Sequence, residues 1–131
     1  MLRVCTNLDP PLEDLIRRVI GCCLTVHKAL GPGLLERIYQ RAVALELQVA
    51  DIPFQREKRF PVVYRTKCLY SHCLDIVVAD CLMLELKAVD RLHPAHHAQV
   101  LSSLKISKLR AALLINFNVA LLSEGIKRIV L

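Results

Sequence analysis

A chain of 131 residues, 54% of them hydrophobic, can bury a real core, which excludes a disordered polymer and fits one domain spanning residues 1–131. Eighteen Lys and Arg against 12 Asp and Glu leave a net charge of +6. That balance suits phosphate backbones and anionic membrane surfaces alike, so charge alone does not choose between them.

A membrane-spanning helix is not expected. The longest apolar candidate, Ala111 to Leu122, is interrupted by Asn116 and Asn118 and falls short of the roughly 18 residues a span needs. The start of the chain, with Asp9, Pro10, Pro11, Glu13 and Asp14, has no charged-then-apolar signal pattern, and a cytoplasmic location is expected.

In chain order, apolar residues first recur at spacings of three and four over residues 12–30, predicting a helix. Gly31-Pro32-Gly33 breaks it. A second helix runs from Leu34 to Val49, with Leu35, Ile38, Ala42, Leu45 and Val49 as its apolar stripe. Three strands follow, Phe54–Tyr64, Leu69–Val78 and Cys81–Ala88, the last two joined by a short turn at Ala79-Asp80. Pro61 suggests an edge position for the first of them. Pro94 opens a third helix to Ser107. Strands at Ala111–Phe117 and Ile126–Leu131 complete the order ααβββαββ. That order predicts an α/β fold: one mixed sheet with helices packed on it.

Six cysteines, at 5, 22, 23, 68, 73 and 81, form no CxxC pair and match no common zinc spacing. They are read as small buried hydrophobes, with Cys68 and Cys73 as metal ligands the alternative.

Chemistry concentrates at Asp75, Glu85 and Lys87. Residues two apart on a strand share a face, so Glu85 and Lys87 project together while Leu84 and Leu86 face the other way. A tight turn at Ala79-Asp80 sets position 75 near position 84, so Asp75 falls close to Glu85 in register, to within one residue. Two neighbouring carboxylates repel unless a cation lies between them, and Mg²⁺ or Mn²⁺ accepts such oxygens. The plain alternative is a structural Glu85–Lys87 ion pair, yet charges inside so apolar a strand are costly unless paired or used.

Gly33-Leu34-Leu35-Glu36-Arg37-Ile38-Tyr39 matches a GxxExxY signature. Together with Leu74-Asp75-Ile76-Val77-Val78, Leu84-Glu85-Leu86-Lys87-Ala88, the His96–Gln99 segment and Leu113-Leu114-Ile115-Asn116-Phe117, it makes the chain resemble the GxxExxY proteins. These are a branch of the PD-(D/E)xK nuclease superfamily, and the resemblance runs from about Leu15 to the C-terminus. It implies a restriction-endonuclease-like sheet and a Mg²⁺- or Mn²⁺-dependent nuclease acting on nucleic acid, DNA favoured. By that resemblance Asp75 and Glu85 would hold the metal, and Glu36 would assist, through water. Lys87 would be the catalytic lysine, and Gln99 would support the site or touch the nucleic-acid backbone.

Tyr39, His96 and Ser103 are candidates for substrate contact. Tyr39 shares a helix face with Glu36, with plain packing as its alternative. His96, Gln99 and Ser103 share another face, which lines a groove or is ordinary solvated surface. His93, His96 and His97 are read as phosphate contacts or solvated side chains rather than a metal cluster.

The chain departs from the family where relatives carry tyrosine in place of Ser103, and glycine near Asp51, Lys108 and Ala112. Turns built there without glycine carry strain wherever they need positive φ. A competing reading is a silent or weakly active module that binds nucleic acid or a protein. A homodimer is compatible with the sequence, which does not fix the oligomer.

Overall fold

The computed structural model describes residues 8–131. Helix α1 spans Pro10–Leu30, two residues longer at its start than its periodicity predicts. The Asp9 side chain accepts the Leu12 amide, and Pro10 and Pro11 fill first-turn positions whose amides have no helical partner. Gly31, at φ 68, ends the helix by donating its amide to His27 O.

Helix α2, Glu36–Val49, buries Tyr39, Val43, Ala44 and Leu47. The stripe expected from the sequence therefore faces outward. Leu35, Ile38, Leu45 and Val49 are exposed, at 70%, 40%, 59% and 75%. The two stripes are offset by about one residue, a rotation of roughly 100° about the helix axis. Tyr39 decides which is buried. Its ring stacks on Phe117 at 4.7 Å, and its hydroxyl lies in the core.

The strands are β1 Phe54–Tyr64, β2 Lys67–Val78, β3 Leu82–Lys87, β4 Ala111–Asn116 and β5 Ile126–Val130. Helix α3, Pro94–Ser107, links β3 to β4, and a 3₁₀ turn at Leu122–Gly125 precedes β5. The sheet order is β1-β2-β3-β4-β5, antiparallel except for the parallel β3–β4 pair. This is the expected mixed α/β sheet, consistent with a restriction-endonuclease-like fold, and β1, the strand with Pro61, lies at its edge.

Ile76, Val78, Leu82, Leu84 and Leu86 pack with α1 and α2 on one face. Leu74, Val77 and Met83 pack with Val100 and Leu104 of α3 on the other. Among the described residues no helix is long and apolar enough to cross a membrane.

Two irregularities shape the centre of β2. Leu74 and Ile76 belong to opposite faces although they are two apart, so the alternation slips at Asp75. On β1, Glu57 occupies the gap between the pairs Arg56↔Ile76 and Lys58↔Leu74, and its φ is 54. A non-glycine residue in the left-handed region inside a strand is uncommon. Here it lies across the ladder from Asp75.

Candidate active site at the fork of β2 and β3

Strand β2 runs beside β1 for its whole length but beside β3 only from Val78↔Leu82 to Ile76↔Leu84. The next pair in that register would be Asp75 and Glu85. The strands part there, and both residues line one cleft of about 440 Å³ with His72, Gln99 and Ser103. The turn that fixes this register has Ala79 and Asp80 at φ 51 and 56, closed by the Cys81 amide on Val78 O. The expected turn is present, but the connection runs over three residues, Ala79 to Cys81. Val78 therefore faces Leu82, and the register is one residue on from that of a two-residue hairpin, which carries Asp75 from position 84 toward Glu85.

Glu85 and Lys87 share a face of β3, with Nζ 3.2 Å from Oε2 and both side chains about four-fifths buried. Their ion pair is the geometry that the plain structural alternative anticipates. The end of β3 is clamped to β4: Lys87 O accepts the Phe117 amide, and buried Asn116 binds both the N–H and the C=O of Val89.

Glu36 and Gln40 stand one turn apart at the start of α2. Gln40 Nε2 donates to Glu36 Oε2 at 3.2 Å and to Asp75 Oδ2 at 3.1 Å. The amide nitrogen must point this way, because Oε1 in its place would face carboxylate lone pairs. Gln40 thus ties α2 to the fork. Its i,i+4 spacing from Glu36 was visible in the sequence, but Gln40 was not singled out there.

Burial holds the Glu85 carboxyl above the ordinary carboxylate range. Lys87 opposes that shift, whereas the charges of Asp75 and then Glu36 reinforce it. Glu36, Asp75, Glu85 and Lys87 therefore share one electrostatic neighbourhood.

Other candidates are placed differently. Gln99 and Ser103 line the cleft, and Ser103 Oγ lies 2.9 Å from His72 Nε2. His72 escaped notice because regular alternation would set it on the face opposite Asp75. The slip at Asp75 brings both into the same cleft. His96 is not among the cleft-lining residues; its Nδ1 accepts the His93 amide and caps α3.

Tyr39 is fully buried, which corrects its candidacy for substrate contact. Its hydroxyl donates to Gly31 O and accepts the Leu34 amide, pinning the Gly31-Pro32-Gly33 turn that leads into Glu36.

The cysteine reading holds for Cys22 and Cys23, which are buried. It fails for exposed Cys68 and half-buried Cys73 and Cys81, while Cys5 lies outside the described residues. Cys73 lines the cleft and Cys68 does not, so the structure does not bring them together there as a ligand pair.

A model of the PD-(D/E)XK nuclease superfamily matches residues 13–129, from the first turn of α1 into β5. The chain belongs to that superfamily. No curated protein and no solved structure matches it. Members of that superfamily are usually nucleases acting on nucleic acid, and PD-(D/E)XK nucleases generally use divalent metal ions.

The donors present suit such an ion in kind. Among the described residues no three His, Cys, Asp or Glu side chains form a ready-made metal cluster. Mg²⁺ does not require one. It commonly takes one or two protein carboxylates and fills its remaining positions with water and substrate phosphate oxygens.

Proposed function

We propose that this chain is a metal-dependent nuclease that hydrolyses phosphodiester bonds, with DNA as the favoured substrate and a cytoplasmic location. The observation that carries the reading is the fork itself. Asp75 and Glu85 are the first residues beyond the paired part of β2 and β3, in an open cleft, with Lys87 beside Glu85. The Gly33–Tyr39 signature favours the GxxExxY branch within the superfamily.

In this reading Asp75 and Glu85 hold Mg²⁺ or Mn²⁺, and Glu36 joins them through water. The ion, when bound, supplies a more acidic water and charge stabilisation at the phosphate. Lys87 orients the attacking water and offsets negative charge building on the phosphate oxygens. Gln99, on the far wall of the cleft, supports the scissile strand, and Ser103, itself largely buried, acts on it through its hydrogen bond to the more exposed His72. The low dielectric around Glu85 and Lys87 strengthens each of these electrostatic terms.

A second reading has a specific observation in its favour. Lys87 neutralises Glu85, and the Gln40 amide already bridges Glu36 and Asp75. A site satisfied in this way suits a silent module that binds nucleic acid without cutting it.

One experiment separates the two. Purified protein is incubated with labelled single-stranded, duplex and branched DNA and RNA, in Mg²⁺, Mn²⁺ or EDTA. Metal-dependent cleavage that disappears in Glu85→Gln and Asp75→Asn supports the nuclease. Binding without cleavage under every metal condition supports the silent module.

A further inference from the structure

The β1–β2 ribbon extends well past the fork. From Asp75 to its tip at Arg65-Thr66 it has no partner strand on the β3 side. From Asp75 back to Lys67 is about eight residues, or roughly 26 Å of strand.

Its composition is lopsided. Residues 54–73 contain Arg56, Lys58, Arg59, Arg65 and Lys67 but only one acid, Glu57. Lys58 is paired with Asp80. Arg56, Arg59, Arg65 and Lys67 have no acidic partner among the described residues.

The tip also exposes rings. Tyr64 is 61% and Tyr70 65% exposed, and the Arg65 guanidinium lies 5.9 Å from the Tyr64 ring centre. Tyr70 is two residues from His72, so both project from the same face of the ribbon. His72 lines the cleft that holds Asp75 and Glu85. A strand leaving that cleft past His72 would therefore meet Tyr70 next, then the cations of the tip.

We propose that this ribbon is a substrate-holding arm for nucleic acid with unpaired bases, a single strand or a frayed end. The inference rests on the nucleic-acid reading of the fork. Unneutralised cations attract any phosphate backbone, whatever its pairing. Exposed tyrosines add affinity only where a base can leave its neighbours and stack on the ring. A second copy of this chain is a poorer occupant, because it would bring the same unneutralised cations to the contact.

The test is binding of labelled oligonucleotides of about 10 nucleotides, within the range one such surface covers, to the full chain in EDTA, where cleavage is off. Tyr64→Ala/Tyr70→Ala should weaken single-strand binding at least about fivefold per ring, and duplex binding less than about twofold. Tyr64→Phe/Tyr70→Phe should bind like the wild type, because the ring is kept. Arg65→Gln/Lys67→Gln should flatten the salt dependence of single-strand binding by about 1.4 in log–log slope.

Unchanged single-strand affinity in a folded double-alanine variant overturns the arm, as do equal losses for single strand and duplex. So does a wild-type dimer that the alanine changes dissociate without affecting nucleic-acid binding. If Glu85→Gln abolishes cleavage while the alanine variant binds normally, the arm fails and the nuclease stands. Tyrosine-dependent binding by a wild type that never cleaves supports the arm and removes the nuclease.

Discussion

Gln40 on α2 holds Asp75 on β2 through a 3.1 Å hydrogen bond, and the same nitrogen holds Glu36. One neutral amide thus serves two carboxylates, in the place where opposite charge would serve them better. Gln40→Ala should lower metal-free stability by about 1.5–3 kcal/mol, the scale of a hydrogen bond to a charged group. Its melting temperature should rise more on adding Mg²⁺ than the wild type's does. Paired thermal scans in EDTA and in Mg²⁺ measure both quantities. An equal Mg²⁺ response would separate Gln40 from the ion.

Glu85 gives a signed dependence on pH. Its carboxyl is held above the ordinary range, so in the metal-free protein the folded state binds its proton more tightly than the unfolded state. That contribution to stability is complete below the ordinary carboxylate pKa and is lost as pH rises through the raised folded value. Glu85→Gln should therefore be more stable than the wild type at neutral pH in EDTA, with the gap closing as pH falls. Mg²⁺ binding should weaken in acid at a higher pH than for an ordinary carboxylate. Denaturant melts and calorimetry across pH 4–8 check the two halves; a gap that widens in acid contradicts the assignment.

Lys87→Met keeps the aliphatic stem and removes the charge. In EDTA it leaves the largely buried Glu85 carboxylate without its partner, which should cost about 3 kcal/mol or more. With Mg²⁺ present the ion takes over part of that neutralisation, and the loss should shrink. Turnover should fall by roughly 10² or more, as for loss of a preorganised electrostatic group. Cleavage at the wild-type rate by the Met variant would end the mechanism while leaving the fold untouched.

Lys108 ends α3 in the left-handed region, at φ 64, with its amide on Leu104 O. Glycine adopts that conformation without the side-chain penalty. Lys108→Gly should stabilise the protein by roughly 1 kcal/mol, seen as a shift of several degrees in melting temperature. Asp51, at φ 59, should respond in the same direction. A loss at either position would show that its side chain contributes more than the backbone strain costs.

Much of this arrangement was readable in advance because it depends on local rules. The short turn at Ala79-Asp80 brings Asp75 to within one residue of Glu85, and the inclusion of Cys81 in the connection makes up the last step, so that the register continues to Asp75 opposite Glu85. The absence of glycine at 51 and 108 marked two turns, and both residues adopt positive φ. Ala112 did not follow: it is a buried β4 residue and not a turn.

What escaped depends on contacts between elements. Helical period shows that α2 has an apolar stripe, but the Tyr39–Phe117 stack determines which side is buried. Period two cannot reveal a slip, so nothing in the sequence marked His72 as a neighbour of Asp75. Nor can a single strand show where its neighbour stops. The protruding ribbon follows from β3 ending its pairing at Ile76↔Leu84.

The Tyr39 pin has a consequence for how the molecule loosens. Its hydroxyl holds the turn before Glu36 at both Gly31 and Leu34, and its ring is anchored against Phe117. The Leu34 amide, though near the surface, then opens only when the core does, and its hydrogen should exchange at the slow, global rate. Amides near Arg65-Thr66, on a ribbon that can fray alone, should exchange orders of magnitude sooner. The acidic side of the fork thus belongs to the last part of the protein to unfold, and the ribbon beyond it to the first.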